Sequence, residues 1–246
     1  ISPAQFIPLA EESGLILPIG AWAIEAVSRQ LQRWLADGIP SLPISINVSA
    51  RQCLDRSLVK QVAAMLQRTG IPAGLIALEI TETTAMADVE HVISLLDELR
   101  ALGVGLAVDD FGIGHSSLSY LKRFPIDQIK IDQSFVRDIT HDPNDAAIVR
   151  AAIAIGQGLG VPVVAEGVET EEQARFLAQH GCDIAQGFFY ARPLDVGAAT
   201  AFLAAQGGDE PTHRLPFYAI EPSALLPAQA RGDSAGRTSS STVSNP

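Results

Sequence analysis

The chain has 246 residues and a 47% hydrophobic composition, enough for one sizeable core and too few for a second full domain beside an α/β barrel of about 250 residues. Its 17 Lys and Arg face 28 Asp and Glu, a net charge of −11 that argues against a broad electrostatic footprint for DNA or RNA, so an anionic ligand needs locally placed cations. The two cysteines, Cys53 and Cys182, form no CxxC pair and indicate neither a disulfide framework nor a zinc knuckle; a reduced, cytoplasmic setting is the simplest reading.

In chain order, residues 1–9 lack a basic n-region and Glu11-Glu12 interrupts the apolar stretch, so no secretory signal is expected. The first residue is not Met, which leaves room for the sequence being a piece of a longer polypeptide. Helical spacing runs over residues 19–35 through Trp22, Ile24, Val27, Leu31 and Leu35, and Gly38 with Pro40 stops it. A strand at 44–48 follows, then a helix at 54–66, broken by Thr69-Gly70-Ile71-Pro72, and a branched-residue strand at 75–80. Residues 89–102 make the next helix, ended by Gly103 ahead of the apolar run 104–108. Helices are then expected at 117–122, 145–159, 171–180 and 196–205, alternating with strands near Gln128, Val161 and Asp183.

Strict α/β alternation implies a parallel sheet with covering helices. The longest apolar region, 146–165, contains Arg150, Gln157, three glycines and Pro162, so a helix followed by a strand explains it better than a membrane span. The fold is expected to end near residue 206. Residues 207–246 form a Pro-, Ser- and Gly-rich tail expected to be largely disordered, and Arg231-Gly232-Asp233 within it reads as chance rather than an adhesion signal.

The chemistry collects at the strand ends. Asp109 and Asp110 close the run 104–108, and two adjacent carboxylates there are costly unless a cation compensates them. Other apolar runs end at Asn47, Glu79 and Glu166, and short ones carry Lys130 and Gln186. If the strands are parallel, these groups share one carboxyl-end rim, where barrel enzymes keep their active sites. Carboxylates with one amide oxygen suit hard ions such as Mg²⁺ or Mn²⁺, and the lack of clustered His and Cys argues against zinc or copper. Two such ions about 3.5–4 Å apart can activate a water and hold both oxygens of an in-line phosphoryl displacement.

Each member alone has a blander explanation. A strand-end Asn47 or Gln186 is more often a hydrogen-bonding loop residue, and Lys130 a solvated or salt-bridged rim charge. One aspartate of the pair can cap a helix beginning near Ser116-Ser117, and residues 166–169 can feed a helix start at Thr170. The constellation, not any member, favours function. On the residues alone it also admits a metal-dependent barrel lyase or racemase with Lys130 as base, although adjacent aspartates fit that chemistry less well.

Seven segments in order carry a resemblance: Phe6-Ile7-Pro8-Leu9-Ala10-Glu11-Glu12-Ser13-Gly14-Leu15-Ile16, Ile46-Asn47-Val48-Ser49, Leu78-Glu79-Ile80-Thr81-Glu82, Asp109-Asp110-Phe111-Gly112, Ile129-Lys130-Ile131-Asp132, Ala165-Glu166-Gly167-Val168-Glu169 and Gln186-Gly187-Phe188. On these the chain resembles the EAL-domain cyclic-di-GMP phosphodiesterases over residues 1–206. The resemblance implies a modified TIM (β/α)₈ barrel of EAL type and hydrolysis of cyclic di-GMP to linear pGpG with two Mg²⁺ or Mn²⁺ ions. It makes Asn47, Glu79 and Asp109 ligands of one ion, with Asp109 bridging to a second held by Asp110 and Glu166. Lys130 would position the attacking water. Glu82 would steady the loop after the aspartate pair, Glu169 support the site from the next strand, Gln186 sit at the substrate or water edge, and Glu11 contact guanine.

The chain departs from the family twice. The namesake Glu-Ala-Leu segment does not occur in it and is expected upstream of Ile1 with the first two strands, so about six of eight strands are expected here and this stretch alone is expected to be a poor catalyst with exposed edges. In the loop 111–117, Ile113 and His115 replace the family's usual Thr or Ala and Tyr, which touches regulation rather than a ligand. The resemblance further implies a homodimer and an upstream GGDEF-like or sensory domain. A catalytically silent cyclic-di-GMP-binding module remains the alternative, and retention of the upstream Glu is what separates the two.

Overall fold

The computed structural model describes residues 1–114 and 118–205, without the side chain of Leu118. His115, the helix start expected at Ser116-Ser117, and the tail with Arg231-Gly232-Asp233 lie outside the described residues.

Two helices lead in. Helix α1 (Pro3–Ser13) starts on a proline and ends at Gly14, whose φ of 80° is the left-handed conformation a helix C-terminus favours in glycine. Helix α2 (Ile16–Ala36) buries Ile16, Gly20, Ile24, Ser28, Leu31 and Trp34 along one stripe. Strand β1 (Ile44–Asn47) follows, and then short α3 (Ala50–Leu54), fixed by a capping box in which Ser49 and Gln52 satisfy each other's backbone N–H. The helix expected at 54–66 begins three residues later, and this short helix ahead of it was not among the expected elements. The Asp55 carboxylate accepts the Ser57 N–H at 2.9 Å and starts α4 (Ser57–Thr69), which Gly70 ends.

Strand β2 (Ile76–Thr81) runs straight into α5 (Glu82–Ala87), capped by Thr81, and α6 (Val89–Ala101), capped by Asp88. Next come β3 (Gly105–Phe111), α7 (Leu118–Leu121), β4 (Gln128–Ile131) and α8 (Gln133–Arg137), the last capped by Asp132. Helix α9 (Pro143–Leu159), β5 (Val163–Ala165), α10 (Glu171–Gln179), β6 (Ile184–Ala185) and α11 (Val196–Ala205) complete the described chain. Thr170 does open α10 through a capping box with Gln173.

Among the described residues six strands form one sheet in the order β1-β2-β3-β4-β5-β6, and every pairing is parallel. The strands read as near-continuous apolar runs because both faces are used. One face carries Ile46, Leu78, Val108, Ile129 and Val163, which join the hydrophobic core beneath the helices with Leu31, Met65, Leu96 and Ile153. Period-2 alternation leaves Asn47, Glu79, Asp109, Lys130 and Glu166 for the other face. This sorting places the polar groups together.

Strands β1 and β6 are the sheet's two edges. Large apolar side chains are exposed toward both ends of the chain, Phe6, Leu9 and Trp22 on the first two helices with Leu15 in the turn between them, and Phe188, Leu194, Val196 and Phe202 beyond β6. The helices flanking the edges meet where the Trp34 indole N–H donates to the Thr200 hydroxyl at 2.8 Å. No single described helix is long and apolar enough to cross a membrane, and α1 and α2 bend by 120° at their junction.

Candidate active site

Lys130 is the centre of the acidic face. Its ammonium lies 2.6 Å from Glu79 Oε2, 2.6 Å from Glu166 Oε1 and 3.4 Å from Asp109 Oδ1. Residues 51, 36 and 21 positions away or nearer in sequence thus converge on one cation from strands β2, β3, β4 and the end of β5. Glu79 is 4% exposed and Lys130 6%, so the pair is desolvated. Burial alone would lower the lysine's pKa, but Glu79, Glu166 and Asp109 outweigh it and hold the ammonium well above its ordinary range. Burial pushes the Glu166 carboxyl up, against the lowering effect of Lys130 and with help from Asp109 and Glu79. One cation serves more negative charge than it balances.

The register explains the aspartate pair. Val108 pairs with Ile129 and Phe111 with Ile131, so Asp109 and Asp110 together stand opposite Lys130 alone. This is a β-bulge, which inserts one residue and re-aims the chain. It returns Phe111 to the core and lets two consecutive carboxylates stay at the rim. Asp110 has φ 54°, the single non-glycine residue with a positive φ among those described. Its pKa is raised by burial, then by Asp109 and Asp132, with Lys130 opposing. The Asp110 N–H donates to Asp109 Oδ1 at 2.9 Å, so Asp109 is oriented by its neighbour's backbone.

Glu82, 1% exposed, accepts the Gly112 N–H through Oε2 at 2.7 Å and so ties α5 to the segment after the aspartate pair. Its Oε1 has no partner among the described residues, and a Cβ at Gly114 would stand 2.8 Å from that oxygen. Gly112, at φ 105°, likewise has no room for a Cβ, which would meet the Phe135 ring at 2.9 Å. The backbone path requires glycine at 112, and at 114 a side chain would press on the Glu82 carboxylate.

Other sequence candidates sit at the same rim with fewer contacts. Asn47 pairs with Glu79 across β1 and β2 and is exposed. Gln186 is exposed just past β6, where its N–H donates to the Ala165 carbonyl and its carbonyl accepts from Val168. The Glu169 side chain is exposed and its N–H donates to Gln173 Oε1 at 2.7 Å. Glu11 is half-buried on α1 and is not among the groups around Lys130. Asp132 was not singled out from sequence, yet it faces Asp110, is 8% exposed and caps α8 through the Ser134 N–H at 2.8 Å. Its position two residues after Lys130, hence on the same face, was the available signal.

Among the described residues no three acidic, His or Cys side chains stand together as an ion cage on their own; the Lys130 ammonium occupies their meeting point.

Comparison with known proteins assigns the family. Residues 1–193 match the EAL domain model. The chain is 46% identical over 194 residues to the bifunctional diguanylate cyclase/cyclic di-GMP phosphodiesterase MucR of Pseudomonas aeruginosa, covering 79% of this chain and 28% of that protein. It is 43% identical over 194 residues to the cyclic di-GMP phosphodiesterase PdeR of Escherichia coli, covering 79% and 29%. It thus spans under a third of the length of these relatives. Among solved structures, the PaMucR phosphodiesterase in complex with c-di-GMP matches with a TM-score of 0.76 at 46% identity over 79% of this chain and 78% of that one. The EAL domain of Mycobacterium smegmatis DcpA matches with a TM-score of 0.73 at 40% identity over 78% and 86%. With this agreement of sequence, parallel-strand architecture and acidic rim, the chain belongs to the EAL-domain family, whose fold is a modified TIM barrel.

Proposed function

We propose that this chain is a cyclic-di-GMP phosphodiesterase that opens the cyclic dinucleotide to linear pGpG. The observation that carries the reading is the convergence of Glu79, Asp109 and Glu166 on Lys130, with Asp110 and Asp132 alongside. The relatives MucR and PdeR, named as phosphodiesterases, support the substrate.

The donor set fits Mg²⁺ or Mn²⁺. All candidate ligands offer hard oxygen, and burial, with neighbouring carboxylates adding to it, raises the pKa of Asp110 and Glu166, a cost of ionisation that an added cation relieves. Asn47, Glu79 and Asp109 would hold one ion, and Asp109, Asp110 and Glu166 a second. Such ions, when bound, lower the pKa of water and neutralise charge on phosphoryl oxygens. The chain's own residues do the rest. Lys130 stays protonated, so it donates hydrogen bonds to a water or phosphate oxygen and does not take a proton, which counts against the lyase or racemase reading. Glu82, through Gly112, fixes the backbone that presents the aspartate pair. Gln186 and Glu11 are assigned to the substrate edge, and Glu169 to supporting the loop.

The test is product analysis with Mn²⁺ and cyclic di-GMP on a chain that includes the Glu-Ala-Leu segment expected upstream of Ile1, since this stretch alone is expected to be a poor catalyst. Wild type should yield a linear dinucleotide and Asp109→Asn should not, because the amide cannot bridge two cations. Hydrolysis by Asp109→Asn at the wild-type rate would overturn the assignment. Tight binding by wild type without turnover would instead favour the silent regulatory module.

A further inference from the structure

Gln128 opens β4 two residues before Lys130 and therefore faces the acidic side of the sheet. It is 3% exposed, and its Nε2 has no hydrogen-bond partner among the described residues. A buried polar group left unpaired costs roughly 1–3 kcal/mol. In native interiors such groups are met by protein partners or by ordered water with two or more polar contacts.

The register identifies what stands opposite. Glu79 pairs with Ala107, and Ala107 pairs with Gln128, so the three side chains occupy one level of the sheet and point to one side. At a strand spacing of about 4.8 Å, the Glu79 and Gln128 backbones lie roughly 10 Å apart. Only the Ala107 methyl group separates them at that level. Two long polar side chains thus flank a position where the intervening residue is too small to fill the space. Glu79 Oε2 accepts from Lys130 at 2.6 Å, so Oε1 is the carboxylate oxygen to which a second donor can be directed.

We propose that Gln128 is a positioning residue for the acidic centre: it donates through one buried water, seated over Ala107, to Glu79 Oε1. The bridge fixes the Glu79 carboxylate in the rotamer that meets Lys130. A neutral amide suits this place, because an ammonium would compete with bound cations and a carboxylate would add to the negative excess. The inference rests on the phosphodiesterase reading for its consequence, since Glu79 is an ion ligand there, while the bridge itself rests on burial and register.

The experiment has two readouts, a crystal structure at a resolution that shows ordered water and a Mn²⁺ titration followed by electron paramagnetic resonance. Wild type should show a water bonded to both Gln128 Nε2 and Glu79 Oε1. Gln128→Met removes the donor, and Ala107→Val keeps the amide but fills the water's place. Each should weaken Mn²⁺ binding about 10-fold, the lower end for groups that orient a metal ligand. The double variant should be no worse than the weaker single one. A Gln128 amide bonded directly to protein, a water that touches Gln128 but not Glu79, or Mn²⁺ affinities within about twofold of wild type in both variants would overturn the proposal. Ala107→Val carries the test should Gln128→Met fail to fold. Wild type that binds no Mn²⁺ would sink the phosphodiesterase reading, and the water positions would still decide this one.

Discussion

Lys130→Met keeps the length of the side chain and removes the ammonium that Glu79, Asp109 and Glu166 share. The side chains of Lys130 and Glu79 are 7% and 5% exposed, so the lost charge is not replaced by bulk water. Removing one partner of a buried ion pair costs about 3–5 kcal/mol, because the remaining charge is left uncompensated. In a domain of this size each kcal/mol moves the thermal midpoint by about 2–4 °C, which gives a fall of about 6–20 °C. The carboxylates can limit the loss by taking up protons. Without the ammonium the folded state binds protons more tightly than the unfolded chain, so the variant's stability falls as pH rises, and the deficit is smaller near pH 5.5 than near pH 8, both rough working values. Mn²⁺ should recover more stability in the variant than in wild type, since it supplies the missing positive charge. Thermal unfolding followed by circular dichroism at both pH values, with and without Mn²⁺, measures all three effects. A midpoint within about 2 °C of wild type at both pH values would refute the claim that Lys130 compensates a buried acidic cluster.

Burial and neighbouring carboxylates raise Asp110 and Glu166 in the folded, ion-free protein, so the folded state binds more protons than the unfolded one as pH rises from the ordinary carboxylate range through those raised values. Stability should fall across that window, and Mg²⁺ or Mn²⁺ at about 100 times its Kd should add about 2.7 kcal/mol and flatten the fall, as chemical denaturation across pH would measure. Glu82→Ala removes the acceptor of the Gly112 N–H and should cost about 0.5–1.5 kcal/mol for that bond, whereas Glu82→Gln keeps an acceptor and should lose less; equal losses in urea unfolding would show that the hydrogen bond is not what matters.

Parallel topology was legible because each strand is a short apolar run ended by a polar residue and followed by a helical period. The site was legible for a related reason: alternation puts residues i and i+2 on one face, so strand-end polar groups of parallel strands must share a rim. What sequence missed depends on local caps and register. Helix α1 carries Pro8 and buries only Ala10, so it shows little amphipathic period. Helices α5 and α8 have 6 and 5 residues, set by the Thr81 and Asp132 caps rather than by hydrophobic spacing. Helix α3 has 5 residues, set by the Ser49–Gln52 capping box, and the Asp55–Ser57 contact moves the start of α4 to residue 57. The approach of Asp132 to Asp110 depends on the bulge, which no local residue pattern announces.

That bulge separates two costs that a single substitution at Asp110 would otherwise mix. Asp110 bears a left-handed backbone and a carboxylate crowded by Asp109 and Asp132. Asn tolerates positive φ nearly as well as Asp, so Asp110→Asn removes the charge and leaves the backbone term almost unchanged. It should raise the melting temperature of the ion-free protein while weakening Mn²⁺ binding. Asp110→Ala removes the same charge but places a Cβ without a compensating polar group at φ 54°, a penalty of about 1–2 kcal/mol for the left-handed region. Its melting temperature should therefore lie below that of Asp110→Asn, and its ion affinity should fall at least as far, since it keeps no side-chain oxygen. If Ala proves the more stable of the pair, the backbone at the bulge carries no such penalty. If Asn proves no more stable than wild type, like-charge crowding is not what the aspartate pair costs the fold. Both results together would leave the doublet without the tension between stability and ion binding that the geometry assigns to it.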